Sequence, residues 1–392
     1  RVKKYSCLLL FWILGIMAFS QPLDTLLQRA VRHNPELKAV EAEFLSAEAR
    51  ADQVSQLENP TIGVGVPVLR PETRLGPQYV MVSAQQMFPW FGTLQSKKEV
   101  ALSMAKATYE KIAAIKLELY HEIRTAYYQL IFLEEEQEIL GKNIMLFQSI
   151  ERTALAKVES GSATTADVLR VQTKIQALQK EVEMIENQKR KFYTVINKVT
   201  VLPWNTAIET VDSMEVVPLL EYNLNDFEDK RQEHHPLIVS IDQQIQASQQ
   251  EQIVNQKSGG PKIGVGLDYS LVGQRTDANP AGNGRDILTP KLILSLPVYR
   301  KQYKAKQLEE EYQQEALQYQ QENIANRLIQ QIIEYKTDYD NALLKKALKE
   351  EQYQTTKRAY EVLLANYSSS GKGFFDLLEV QSQLLDFDLA IH

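Results

Sequence analysis

The sequence predicts a mainly α chain with a small β part, built from one unit written twice. Three observations carry this. Two long stretches lack helix breakers, two short Gly/Pro-rich regions change their hydrophobic period, and motifs recur in fixed order about 200 residues apart.

The chain starts with a basic, then apolar, run. Arg1, Lys3 and Lys4 precede Cys7 to Met17, and Ala18-Phe19-Ser20 offers a small-x-small cleavage site, so residues 1–20 read as a secretory signal peptide. Cys7 is the only cysteine and lies inside that segment, so an exported chain would have no disulfide, thiolate nucleophile or cysteine metal ligand. Over the whole chain, 44 Lys+Arg face 50 Asp+Glu, a formal charge of -6. That balance argues against a nucleic-acid partner. Mean hydropathy is -0.32, and no apolar run outside the leader is long enough for a membrane helix, which excludes a polytopic helical membrane protein.

The helices follow from where breakers are missing. No proline lies between Pro89 and Pro203 or after Pro297, and only Gly141 and Gly161 interrupt the glycine-free span from Gly92 to Gly259. Long helices are expected at about 93–158, 164–199, 300–366 and 374–392, the longest reaching about 100 Å at 1.5 Å per residue. Val168, Val171, Ile175, Leu178, Val182 and Ile185 keep a 3,4 spacing, as do Leu328, Ile332, Tyr335, Tyr339 and Ala342, which reads as a coiled-coil seam. Charge runs such as Glu134 to Glu138 and Glu309 to Glu311 read as solvated helix surface.

The strands occupy the breaker-rich regions. Ile62, Val64, Val66 and Val68 alternate with Gly63, Gly65 and Pro67, and Ile263, Val265, Leu267, Tyr269 and Leu271 alternate with Gly264, Gly266, Asp268 and Ser270. With partners at about Tyr79 to Phe88 and Leu288 to Leu296, they form two hairpins, about 60–88 and 261–297. Their strands, roughly ten residues each, would cross a membrane when tilted.

The duplication fixes the organisation. Pro60-Thr61-Ile62-Gly63-Val64-Gly65 recurs as Pro261-Lys262-Ile263-Gly264-Val265-Gly266, and Asn34-Pro35 as His235-Pro236. Ser160-Gly161…Asp167-Val168-Leu169 recurs as Ser370-Gly371…Asp376-Leu377-Leu378. We therefore expect a first repeat over 21–200, an equatorial connection over 201–233 and a second repeat over 234–392. His392 aligns with Glu183, whereas the first returning helix continues to about Val199, so the C-terminus is expected to be truncated.

Four membrane-length strands cannot close a barrel, and lipid does not tolerate an open strand edge. Several chains must therefore share one barrel. Two would give eight strands and a filled bore, and three would give twelve and a duct.

At this point the chain resembles the TolC-type outer-membrane efflux proteins. The resemblance rests on Ala30-Val31-Arg32-His33-Asn34-Pro35-Glu36-Leu37, on the corner Gln85-Gln86-Met87-Phe88-Pro89-Trp90-Phe91-Gly92, and on the two turn motifs. The Pro-Trp-Phe-Gly corner looks most like the metal-cation branch. The resemblance implies a homotrimer with a 12-stranded β-barrel in the outer membrane, continuing into a 12-helix α-barrel through the periplasm. It also implies docking onto a periplasmic adaptor protein and an inner-membrane efflux pump, and so an exit duct for small molecules or metal cations.

In the family, the positions matching Asp376 and Glu379 narrow the periplasmic mouth and form a cation-attracting gate. Their i,i+3 spacing puts both carboxylates on one helix face, and three chains would supply a ring of six. Lys372 is the nearest counter-charge, standing where the family often has arginine. The turns are the adaptor-docking candidates, through Gly161, Thr165, Asp167, Val168 and Leu169 in the first and Gly371, Lys372, Leu377 and Leu378 in the second. A plainer reading stands beside this one: helix reversal for the turns, and a Thr164-x-x-Asp167 capping box for Asp167.

His33 and the His234-His235 pair read as helix starts before Pro35 and Pro236 rather than ligands. Gly63-x-Gly65 and Gly264-x-Gly266 lie in strands and lack the third glycine of a nucleotide loop. Trp90, Phe91 and Tyr299 suit an aromatic belt at the lipid boundary. No catalytic constellation is evident, and neither metal nor cofactor is expected, so the chain reads as a passive duct and not an enzyme. The alternative is a periplasmic coiled-coil adaptor or scaffold without a pore, which leaves the hairpins unaccounted for.

Overall fold

A computed structural model of the chain describes residues 23–210, 234–370 and 372–392. The expected signal peptide, Gly371 and most of the equatorial connection lie outside the described residues. The chain is mainly helical with one small sheet. In order it forms α1 (Leu23–His33), α2 (Pro35–Val54), β1 (Thr61–Gly65), β2 (Glu72–Thr73), β3 (Gly76–Phe88), α3 (Thr93–Glu159) and α4 (Thr165–Thr200). Then come α5 (Pro236–Ser258), β4 (Lys262–Val272), β5 (Ile287–Ser295), α6 (Lys301–Ser370) and α7 (Phe374–Ile391).

The two Xaa-Pro motifs start helices, as their chemistry dictates. Asn34 Oδ1 accepts from the backbone N–H of Glu36 (2.9 Å) and Leu37 (3.1 Å), while Pro35 enters the first turn, where no N–H is needed. In the second repeat His235 takes that place, its Nδ1 accepting from Leu237 N–H at 3.3 Å, with Pro236 following. Both motifs therefore cap helices.

The chain divides into two compact units that cut across the repeats, each drawing on both. The first comprises residues 1–37, 115–222 and 329–392. Its core is the seam: Val168, Val171, Ile175 and Leu178 of α4 meet Leu140, Phe147 and Ala154 of α3, Phe374, Leu377 and Leu385 of α7, and Tyr367 of α6. Each such aliphatic side chain contributes roughly 1.5–3 kcal/mol by leaving water. A buried polar bond crosses this core, from Gln381 Nε2 to Asn143 Oδ1 at 3.2 Å. Docking of α1 on α4 uses the carbonyls freed at a helix end: Arg29 Nε donates to Thr200 O (3.0 Å) and Asn34 Nδ2 to Val199 O (3.2 Å).

The expected seam on α6 is not buried. Tyr335 is 58% exposed and Ala342 is also exposed. Phe387 of α7 lies under Lys349, with Nζ 4.8 Å from the ring centroid.

The second unit comprises residues 38–114 and 223–328. Its helices approach through small side chains. Ala101, Ala105, Ala107, Ala247 and Ser248 are buried, Ser240 Oγ donates to Ala107 O at 2.8 Å, and Ser248 Oγ donates to Glu310 Oε2 at 2.6 Å. Lys306 neutralises Glu310 at 2.8 Å, which makes burial of that carboxylate tolerable.

The sheet of this unit runs in the order β1-β3-β4-β5, all antiparallel, with β2 paired to β3. It differs from the expected pair of equal hairpins. β1 stops at Gly65 rather than continuing to Val68, and β3 starts earlier, at Gly76. Pro67 and Pro71 explain the first difference, since neither can donate to a ladder. Pro290 is accommodated within β5 because that strand is an edge of this sheet.

Register assigns the faces. Ile62, Val64, Val82, Ala84, Phe88, Ile263, Val265, Leu267, Leu288, Leu292 and Leu294 share one side, and Ser83, Gln85, Asp268, Ser270, Thr289 and Lys291 share the other with Met81, Met87, Ile287 and Ile293. The apolar side is uncovered: Val64 is 71% and Leu292 79% exposed. Gln86 also falls on that side, and its amide donates to Glu58 O (2.8 Å) and Met87 O (2.9 Å). On the polar side Lys291 and Asp268 form an ion pair. Among the described residues, no helix is long and apolar enough to cross a membrane.

Candidate functional site

The two helix turns of the first unit bring the sequence-predicted residues together. In the first, α3 unwinds through Gly161, whose φ of 72° lies in the left-handed region, and Ser162 N–H reaches back to Lys157 O at 2.8 Å. Thr164, with extended backbone, then begins α4. Asp167 Oδ2 accepts from Thr164 N–H (3.1 Å) as one half of a capping box, whose other half runs from Asp167 N–H to the Thr164 side chain, and Asp167 Oδ2 also accepts from Thr164 Oγ1 (2.9 Å). The Asp167 carboxylate is thus engaged locally.

The second turn is built differently. Gly373 stands before α7 with φ 80°, in the place that Thr164 holds before α4, and it has no side chain to bond Asp376. Asp376 and Glu379 are both exposed. Glu379 Oε1 accepts from Gln383 Nε2 at 3.4 Å, and among the described residues neither carboxylate is in an ion pair. Lys372, the expected counter-charge, is exposed and makes no ion pair with them; its backbone N–H donates to Ser370 Oγ at 3.3 Å. The second turn therefore presents two uncompensated carboxylates on one helix face.

Of the docking candidates, Val168 and Leu377 are buried in the core beneath the turns, and Leu378 is half-buried. Thr165, Leu169 and Lys372 are exposed, Leu169 by 58%, and Gly371 lies outside the described residues.

The structure adds residues that spacing did not point to. Lys157 Nζ donates to Ser368 O at 3.3 Å and sits 5.0 Å above the Tyr367 ring, and Tyr367 packs on Phe374 with centroids 5.1 Å apart. Arg170 lies 5.3 Å over the exposed Phe375. These cation–π contacts tie the two turns to each other. Burial, and then the Asp167 charge, pushes the Tyr367 hydroxyl above its ordinary range. Chemically the arrangement offers charge and shape. Among the described residues no cluster of three or more His, Cys, Asp or Glu could hold a metal ion.

Comparison with known proteins adds to this geometry. Residues 26–193 match the family model of outer membrane efflux proteins. Two relatives are pyoverdine export outer membrane proteins OpmQ. The one from Pseudomonas putida is 24% identical over 188 residues, and the one from Pseudomonas aeruginosa 26% over 189. Each match covers 44% of this chain and 40% of the relative, so the matched stretch spans about two fifths of the relatives' length.

Among solved structures, the outer-membrane channel OprN aligns with TM-score 0.73 at 14% identity, covering 94% of this chain and 85% of that one. The outer membrane protein VceC from Vibrio cholerae aligns with TM-score 0.71 at 15% identity, covering 94% and 91%. The Campylobacter jejuni CmeC outer membrane channel aligns with TM-score 0.69 at 14% identity, covering 94% and 81%. At these identities the likeness establishes the fold.

Proposed function

We propose, from the premise that this chain is a TolC-type outer membrane efflux protein in family and fold, that it acts as the outer-membrane exit duct of a tripartite efflux system. The observation that carries this reading is the sheet. Four main strands present a continuous apolar face on one side, a mixed face carrying the polar residues Ser83, Gln85, Asp268, Ser270, Thr289 and Lys291 on the other, and unpaired edges at β1 and β5. In lipid such edges must be paired, so the reading calls for a shared barrel, twelve-stranded in a homotrimer. The scaffold alternative would leave that apolar face in water, where it invites aggregation.

The helices continue the duct into the periplasm as an α-barrel. Asp376 and Glu379 form the cation-attracting gate at its mouth, while the turns engage a periplasmic adaptor, which links the duct to an inner-membrane pump. No bond is made or broken: cargo moves passively, and the pump supplies energy. Because two relatives are named for pyoverdine export, pyoverdine is the first cargo to assay, ahead of free metal cations.

The test is reconstitution. The complete gene product, extracted from outer membranes in mild detergent, should have trimeric mass by light scattering and conduct ions in planar bilayers. A soluble monomer or dimer without conductance would overturn the duct and favour the scaffold.

A further inference from the structure

The strand-to-helix corner carries two adjoining cavities that the duct itself does not use. One, about 260 Å³, is lined by Phe88, Pro89, Trp90, Phe91, Pro261 and Ile263. Phe88 and Ile263 are the last outward residues of β3 and the first of β4, so the apolar sheet face runs directly into this cavity. The Trp90 indole closes it. The ring packs so tightly against Gly260 that a Cβ there would sit 2.8 Å from Cγ, and it meets Phe91 edge-on with centroids 5.7 Å apart.

Trp90 and Pro89 also line the second cavity, about 170 Å³, whose wall includes Lys97, Lys257, Lys262 and Glu58. Lys257 Nζ is held by Ser96 Oγ (2.7 Å) and Gly92 O (3.3 Å), both neutral acceptors. Among the described residues none of the three lysines is in an ion pair, whereas neighbouring Lys98 is paired with Asp52 at 3.0 Å. Three ammonium groups against one carboxylate leave this cavity cationic.

We propose that the corner binds an anionic glycerophospholipid, an acyl chain lying along the apolar side of the sheet into the aromatic cavity and the phosphodiester at Lys97 and Lys257, with Lys262, which begins β4 on the opposite side by register, lining the same cavity from the strand end. The pairing of an apolar slot with an uncompensated cationic pocket across one indole matches that amphiphile, and Trp at such a boundary suits the headgroup level. The proposal rests on the duct reading, which puts the helix end of the sheet at the periplasm-facing leaflet. It adds a bound lipid of defined charge to that reading.

The test uses the purified oligomer, loaded with phosphatidylglycerol or phosphatidylethanolamine and exchanged into lipid-free detergent, with retained lipid counted by native mass spectrometry. Phosphatidylglycerol should be retained at about one molecule per chain and preferred over phosphatidylethanolamine. Lys97→Gln with Lys262→Gln should lower retention about tenfold, and Lys97→Arg with Lys262→Arg should restore it. Circular dichroism and oligomeric mass report whether each variant folds. Equal retention of the two lipids, or undiminished retention in the glutamine variant, overturns the site. Wild-type conductance without retained phosphatidylglycerol overturns the site alone, whereas failure to insert or conduct overturns the duct reading as well.

Discussion

The two helix turns descend from one duplicated motif, yet they treat the same acid in opposite ways. At the first, Thr164 precedes α4 and Asp167 closes a capping box upon it. At the second, Gly373 precedes α7, so Asp376 keeps its charge free, with Glu379 one turn along the same face. One residue of difference before the helix decides whether the duplicated acid stabilises structure or faces outward. Position in a repeat therefore does not assign a role; the group that competes for the carboxylate does.

Substitutions at the two turns separate these roles. Leu377 is 1% exposed in the core under both turns, so Leu377→Ala should cost about 2–5 kcal/mol and loosen both. A thermal melt with Leu169→Ala, at an exposed position, as reference measures it; equal melting points would mean the turns do not share that core. Next, Asp376→Asn with Glu379→Gln should raise single-channel conductance severalfold and weaken block by divalent cations, while Asp167→Asn should do neither. An unchanged current-voltage curve for the double variant would remove the gate assignment.

Third, Asp167→Ala should cost about 1 kcal/mol through loss of the capping box, whereas Asp376→Ala should cost distinctly less, as chemical denaturation can report. Equal costs would erase the distinction drawn above. Smallest, Lys157→Met should remove a cation–π contact worth about 0.5–1 kcal/mol, read as faster hydrogen exchange at both turns; exchange altered at the first turn alone would mean the two are independent.

Much of this was legible from residues alone. Segregated prolines and glycines marked the long helices, and the Thr164-x-x-Asp167 spacing announced its cap. The limits are equally specific. Alternation continued through Val66 and Val68, but period-two patterning is blind to the missing N–H groups of Pro67 and Pro71, so β1 was expected to be longer than it is. The 3,4 spacing at Leu328 to Ala342 identified a helix stripe correctly without saying what covers it. The Lys157–Tyr367 contact joins residues 210 positions apart in sequence, and a cation over a ring leaves no periodic trace. The cationic cavity beside Trp90 was missed for a similar reason: Lys97, Lys257 and Lys262 come from three elements that only the fold assembles.

The edges of the sheet differ in length, five residues in β1 against nine in β5. Within the chain, β3 and β4 are zipped along nearly the whole of β4. β1 has five residues to offer β3 within the chain and the same five to offer β5 of a next copy, so in a ring closed that way β1 would be the short stave on both its sides. Such a wall would be thinnest along one strand in each copy, and that strand is the one at which each copy would meet the next.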